Sequence, residues 1–85
     1  MNYRIVIERK AEKETVKIPA KYRPAIDKAI LSLASNPRPH GSKKLTEKEG
    51  YRIRTGNYRI LYKVDDPAKI VVIYRIKIRS KITYK

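Results

Sequence analysis

The residues best suited to chemistry lie in the segment Tyr51-Arg52-Ile53-Arg54-Thr55-Gly56-Asn57-Tyr58-Arg59-Ile60-Leu61-Tyr62. Side chains alternate along an extended strand, so Arg52 and Arg54 fall on one face about 6.5 to 7 Å apart, close to the separation of neighbouring phosphates on a single nucleic-acid strand. Gly56-Asn57 predicts a tight turn, and the returning strand brings Arg59 across the hairpin to join them. Arg75, Lys77 and Arg79 extend the charge along a later strand. Guanidinium groups bind phosphate oxygens in bidentate forks and stabilise charge that develops on them. The chemistry this spacing suits is therefore the binding of a phosphodiester and of its transition state. Like charges placed this close destabilise a sheet unless an anion relieves them; the alternative is a plain solvated sheet face.

Other candidates weigh less. His40 sits between Pro39 and Gly41 and reads as an exposed loop residue. Lys43 and Lys44 either grip a nucleic-acid backbone or form a solvated pair. Tyr51, Tyr58, Tyr62 and Tyr74 could stack on bases, but their regular alternation favours packing. Asp65-Asp66-Pro67 is turn chemistry rather than a carboxylate pair.

The composition narrows the field. The 85 residues include no cysteine and a single histidine, which excludes disulfides, Fe–S clusters, thiolate zinc sites and His-based metal clusters. No cofactor or metal is expected, and thiol or Ser-His-Asp catalysis is all but excluded. Lys and Arg number 22 against 8 Asp and Glu, a net charge of +14, which argues for an anionic partner with nucleic acid leading. Heat-adapted proteins also carry Lys-rich surfaces, but they balance them with Glu, and here the balance is missing. No apolar run approaches the roughly 18 residues of a membrane span, and Met1 leads straight into an alternating stretch without a signal peptide's apolar region. A cytoplasmic protein with no membrane partner is expected.

The elements that must position these side chains follow from periodicity. Tyr3, Ile5 and Ile7 alternate with Arg4, Val6 and Glu8, a first strand; Arg9 to Ile18 reads as a short helix. From Ala20 to Ser35, Tyr22, Ile26, Ala29, Ile30 and Leu33 recur at spacings of three and four, one buried face of a longer helix. Pro24 belongs in its first turn, and Asn36-Pro37 ends it. Pro37, Pro39 and Gly41 make a stiff connector, and Thr46 to Gly50 a polar loop. Tyr51–Thr55, Tyr58–Val64 and Ile70–Ile78 read as strands joined by tight turns. The expected fold is α+β, a single domain over 1–85: an antiparallel sheet of about four strands with two N-terminal helices on one face, in the order β-α-α-β-β-β. Tyr51 and Ile53, then Ile60 and Tyr62 or their alternates, and Ile70, Val72, Tyr74 and Ile76 are the expected covered positions, with Arg52 and Arg54 on the opposite face.

The stretches "NPRPHGSKKL" and "GYRIRTGNYRILYKVDD", followed by a basic strand and a terminal Tyr, resemble the small toxins of toxin-antitoxin modules, the RelE/ParE superfamily. The likeness runs from "YRIVIERKAEK" to Tyr84. It implies a microbial-ribonuclease-like fold and, in the RelE branch, an endoribonuclease that cuts messenger RNA in the ribosomal A site, held in check by a cognate acidic antitoxin. By the same resemblance the catalytic residues are Arg52, Arg54 and Arg59, with Arg79 and Tyr84 near the C-terminus. Lys43, Lys44, Arg75, Lys77 and Lys81 would bind RNA. One departure stands out: the family commonly ends in His-Arg with a Tyr four residues after the Arg, whereas here Ile78 precedes Arg79 and Tyr84 lies five residues on. Either a bulge restores the register, or Tyr84 is not where a proton donor must be. Lys77, Lys81 and Thr83 are the other polar groups nearby. Two rival readings share the fold: a ParE-like inhibitor of DNA gyrase without nuclease activity, and a catalytically inactive nucleic-acid-binding relative.

Overall fold

The computed structural model describes residues 2–45 and 50–78. The chain forms β1 (Arg4–Ile7), α1 (Arg9–Val16), a single 3-10 turn over Ala20–Tyr22 that runs into α2 (Arg23–Ser35), then β2 (Lys43–Lys44), β3 (Tyr51–Thr55), β4 (Tyr58–Asp65) and β5 (Ile70–Ile78). Pro24 sits in the first turn of α2, where its missing N–H costs nothing. The helix stops at Asn36, whose extended backbone (φ −148°, ψ 94°) is what a following proline demands. Among the described residues no helix is long and apolar enough to cross a membrane.

The strands form one sheet in the order β1-β5-β4-β3-β2. The expected α+β fold is present, with two refinements. Lys43–Lys44 pairs antiparallel to β3 as a two-residue fifth strand, too short to leave a periodic signal. β1 runs parallel to β5, so the sheet is mixed. Tight turns dictate antiparallel pairing only for β3, β4 and β5; β1 is joined through helices, which leave its direction open.

The helices cover one face of this sheet. Ala11, Ile18, Ile26, Ile30 and Leu33 meet Ile53, Tyr58, Ile60, Tyr62, Val71, Ile73 and Ile76, all buried. Burying one such aliphatic side chain contributes about 1.5–3 kcal/mol. On β5 the expected phase is corrected. Val71 and Ile73 are buried while Ile70, Val72 and Tyr74 are only half-buried, yet Ile76 is in the core as expected. A β-bulge reconciles these: Leu61 pairs with Arg75 but Tyr62 pairs with Ile73, so Tyr74 is the extra residue and the alternation changes phase there.

A polar clasp ties the α2–β2 connector to the sheet. Arg38 donates from both terminal nitrogens to Asp66 (3.3 and 2.7 Å) and from Nε to the Tyr51 hydroxyl (3.0 Å), while Tyr3 donates its hydroxyl to Asp66 (2.6 Å). The buried Tyr62 hydroxyl donates to the Pro37 carbonyl at 2.8 Å. The connector is thus anchored next to the strand that carries Arg52 and Arg54.

Candidate nucleic-acid interface

The face of the sheet turned away from the helices carries the basic side chains, and the register arranges them in rows. Thr55 pairs with Tyr58 around the two-residue Gly56-Asn57 turn, and Gly56 takes a φ of +59° that glycine adopts without strain. This places Arg54 opposite Arg59, and Arg59 opposite Lys77, a row of three cations across β3, β4 and β5. The next row, two residues along each strand, runs Lys43, Arg52, Leu61, Arg75 from β2 to β5. Side chains directly opposite have Cβ atoms about 4.5–5.5 Å apart, and the rows are separated by about 6.5–7 Å. The two rows therefore present cations at the spacing of successive phosphates.

Arg59 is the centre of the first row. It is half-buried, and its Nε is closed off from solvent with no hydrogen-bond partner among the described residues. A guanidinium N–H without an acceptor is costly in a protein interior. An anion drawn to the row would offset the positive charge gathered around Arg59.

The expected site residues fall as follows. Arg52, Arg54 and Arg59 stand on the same face, with Lys77 and Lys43 joining them. Lys44 pairs with Tyr51 and points to the other side of the sheet. Arg75 occupies the open face but turns to the sheet edge, where its Nε donates to Glu14 Oε2 at 2.9 Å. Arg79, Lys81 and Tyr84 lie outside the described residues, as does the spacing between Ile78 and Tyr84. His40 is exposed in the connector.

Sequence reasoning missed Glu14 and set a second group aside as packing. Glu14, on α1, accepts the backbone N–H of Ile76 at 2.6 Å as well as Arg75. β1 ends opposite Ile73, so among the described residues no strand covers the edge of β5 beyond it, and Glu14 fills part of that edge. Nothing in the local pattern of α1 marks this residue. The second group is Tyr74, which the bulge brings to the open face, with Lys63 Nζ 5.5 Å from its ring centre. Burial pushes its phenol above the ordinary value.

Among curated protein sequences none matches the chain significantly. Solved structures do. The toxin–antitoxin complex RelBE2 of Mycobacterium tuberculosis contains a chain 28% identical, matched over 93% of this chain and 100% of that one with a TM-score of 0.82. The archaeal RelE–RelB complex of Pyrococcus horikoshii gives 25% identity, 96% and 100% coverage and a TM-score of 0.81. The isolated RelE toxin of E. coli, 22% identical over 94% of this chain and 87% of that one, shares the fold with a TM-score of 0.81. A family profile described as ParE toxin of type II toxin-antitoxin system, parDE, matches residues 5–83. The chain accordingly belongs to the ParE toxin family within the RelE/ParE superfamily, the toxins of type II toxin-antitoxin systems.

Proposed function

We propose that this toxin is an endoribonuclease of the RelE type, acting as a single domain in the cytoplasm, that cuts messenger RNA in the ribosomal A site without a metal. The observation that carries this reading is the position of Arg59 at the centre of a three-cation row, with an Nε that has no hydrogen-bond partner among the described residues. A second cationic row lies one phosphate spacing away.

In this reading Arg59, flanked by Arg54 and Lys77, binds the non-bridging oxygens of the scissile phosphate, and Arg52 with Lys43 binds its neighbour. The 2′-oxygen attacks phosphorus and gives up its proton to solvent. The bond from phosphorus to the 5′-oxygen breaks, leaving a 2′,3′-cyclic phosphate and a 5′-hydroxyl. Charge grows on the non-bridging oxygens during attack, and fixed guanidiniums stabilise it without reorganising. The leaving 5′-oxygen needs a proton. Tyr84, assisted by Arg79, is the donor the family resemblance points to, and a phenol with an ordinary pKa near 10 needs surrounding positive charge to serve. Among the described residues the basic face offers no good general base, so in this reading free RNA is a poor substrate. A strand held rigidly by the ribosome gains through positioning what the protein lacks in proton transfer.

The antitoxin is read as an acidic, extended segment that covers the basic rows. The net charge of +14 supports this, as do the RelB complexes in which the M. tuberculosis and P. horikoshii relatives were solved.

The match to the ParE profile favours one alternative, inhibition of DNA gyrase without cleavage. Induction in cells followed by mapping of messenger RNA 5′ ends separates the readings. Codon-phased cuts during translation support the interferase. Intact transcripts with broken or stalled chromosomes support gyrase inhibition, and no growth effect supports an inactive relative.

A further inference from the structure

The β5 bulge places Tyr74 and Arg75, two consecutive residues, on the open side of the sheet. Arg75 is drawn to the edge by Glu14. Tyr74 is left on the face itself. It is the one tyrosine there among the described residues: Tyr58 and Tyr62 are in the core, Tyr3 and Tyr51 pack against it, and Tyr22 leans on Tyr58 from the helical side. Tyr74 is half-buried, and its hydroxyl is closed off and has no hydrogen-bond partner among the described residues. Leu61 and Val72, also half-buried, flank it, and Lys63 reaches over the ring.

Positions 59, 61 and 63 of β4 advance along the open face in steps of about 6.5–7 Å. A strand of RNA lying along β4 would meet the Arg54-Arg59-Lys77 row first, the Lys43-Arg52 row next, and then Tyr74 with Lys63. We infer that Tyr74 and Lys63 form a stacking subsite for one unpaired base of the RNA strand held by the two basic rows. The inference rests on the reading that this face binds RNA. Lys63 has a flexible stem, so its ammonium can leave the ring for a phosphate and open the aromatic surface to a base. Such stacking tolerates any base, because every base has a π-face. Packing alone gives no use for a phenol here, since leucine or phenylalanine would fill the same patch without stranding a hydroxyl.

The test uses the purified protein and a single-stranded 2′-O-methyl oligoribonucleotide, which cannot be cleaved by 2′-hydroxyl attack. Binding is measured by fluorescence anisotropy, with an abasic residue moved through the oligonucleotide one position at a time. At one position the abasic residue should weaken binding to the wild type about tenfold, within the range for a single stacked base. Tyr74→Leu should bind the intact oligonucleotide about tenfold more weakly, feel no further loss from that abasic residue, and Tyr74→Phe should stay close to wild type. An equal abasic penalty in wild type and Tyr74→Leu would overturn the subsite. If Tyr74→Leu does not fold, a 5-iodouridine scan with the wild-type protein decides: a photocrosslink to Tyr74 supports the subsite, and crosslinks only to other residues overturn it. Arg59→Ala separates the two levels. If Arg59→Ala binds as well as wild type, the RNA-binding face is wrong and the subsite falls with it. If Arg59→Ala loses binding but Tyr74→Leu does not, only the subsite is wrong.

Discussion

Arg54 and Arg59 stand directly opposite one another across the β3–β4 hairpin, with Lys77 next in the same row. Like charges directly opposite one another on a sheet cost a few tenths of a kcal/mol or more where no neighbouring group offsets them. Arg59, whose Nε has no hydrogen-bond partner among the described residues, is the member of the row whose electrostatics a ligand would complete.

Anion binding should therefore stabilise the protein through this row. A ligand at a hundred times its Kd adds about 2.7 kcal/mol, roughly 10 to 20 °C in melting temperature for a domain of this size. A 2′-O-methyl oligoribonucleotide should give a shift of that order in the wild type and a much smaller one in Arg59→Ala. Without ligand, Arg59→Ala should melt within about 0.5 kcal/mol of wild type. Differential scanning calorimetry at low salt reads both.

Glu14 holds α1 to the edge of β5 through two hydrogen bonds, to Ile76 N–H and to Arg75. Glu14→Ala leaves the Ile76 N–H without its acceptor and should destabilise by about 1–3 kcal/mol. Glu14→Gln keeps an oxygen for Ile76 and should lose about half as much. Urea denaturation with an unchanged slope is the check.

The clasp around Asp66 predicts a loss of stability in acid. Arg38 first, and then Tyr3, hold the Asp66 carboxyl below its ordinary value. A carboxyl whose folded pKa is depressed stabilises above its unfolded pKa of about 3.9, and that stability disappears as pH falls through the folded pKa. Asp66→Asn should lower the melting temperature at pH 6, and the gap from wild type should close below about pH 4 as the wild-type carboxyl protonates.

Gly50 enters β3 at φ +120°, and a Cβ built there would lie 2.6 Å from the Tyr62 carbonyl oxygen. Gly50→Ala combines a strained backbone with a backbone collision and should cost at least about 2 kcal/mol. Because Tyr51 and Arg52 follow immediately, oligonucleotide affinity should fall along with stability. Chemical denaturation and anisotropy on the same preparation test this.

Much of the scaffold could be read from residue spacing. The hairpin from Tyr51 to Tyr62 announces itself through strict alternation around Gly56-Asn57, and the register of Arg52, Arg54 and Arg59 follows from it. The longer helix was legible from Ile26, Ile30 and Leu33, and its ends from Pro24 and Asn36-Pro37. The phase of β5 was not, because its bulge is marked by no glycine: Tyr74 looks like any alternating strand residue, and only the pairing of its neighbours Arg75 and Ile73 with Leu61 and Tyr62 reveals it as the extra one. Glu14 and Arg38 escaped for another reason. Their partners lie 61 and 28 residues away, and side chains that meet over such distances leave no local pattern.

The central claim is most directly tested by single-turnover cleavage on programmed ribosomes with a defined codon in the A site, comparing wild type with Arg59→Ala. Removing one such charge-stabilising contact costs about 10²–10³ in rate. The account predicts a 5′-hydroxyl and a 2′,3′-cyclic phosphate at the A-site codon, slow cutting of the same RNA free in solution, and a loss of that size in Arg59→Ala. An intact message with wild-type toxin bound, or equal cleavage by Arg59→Ala, would contradict it.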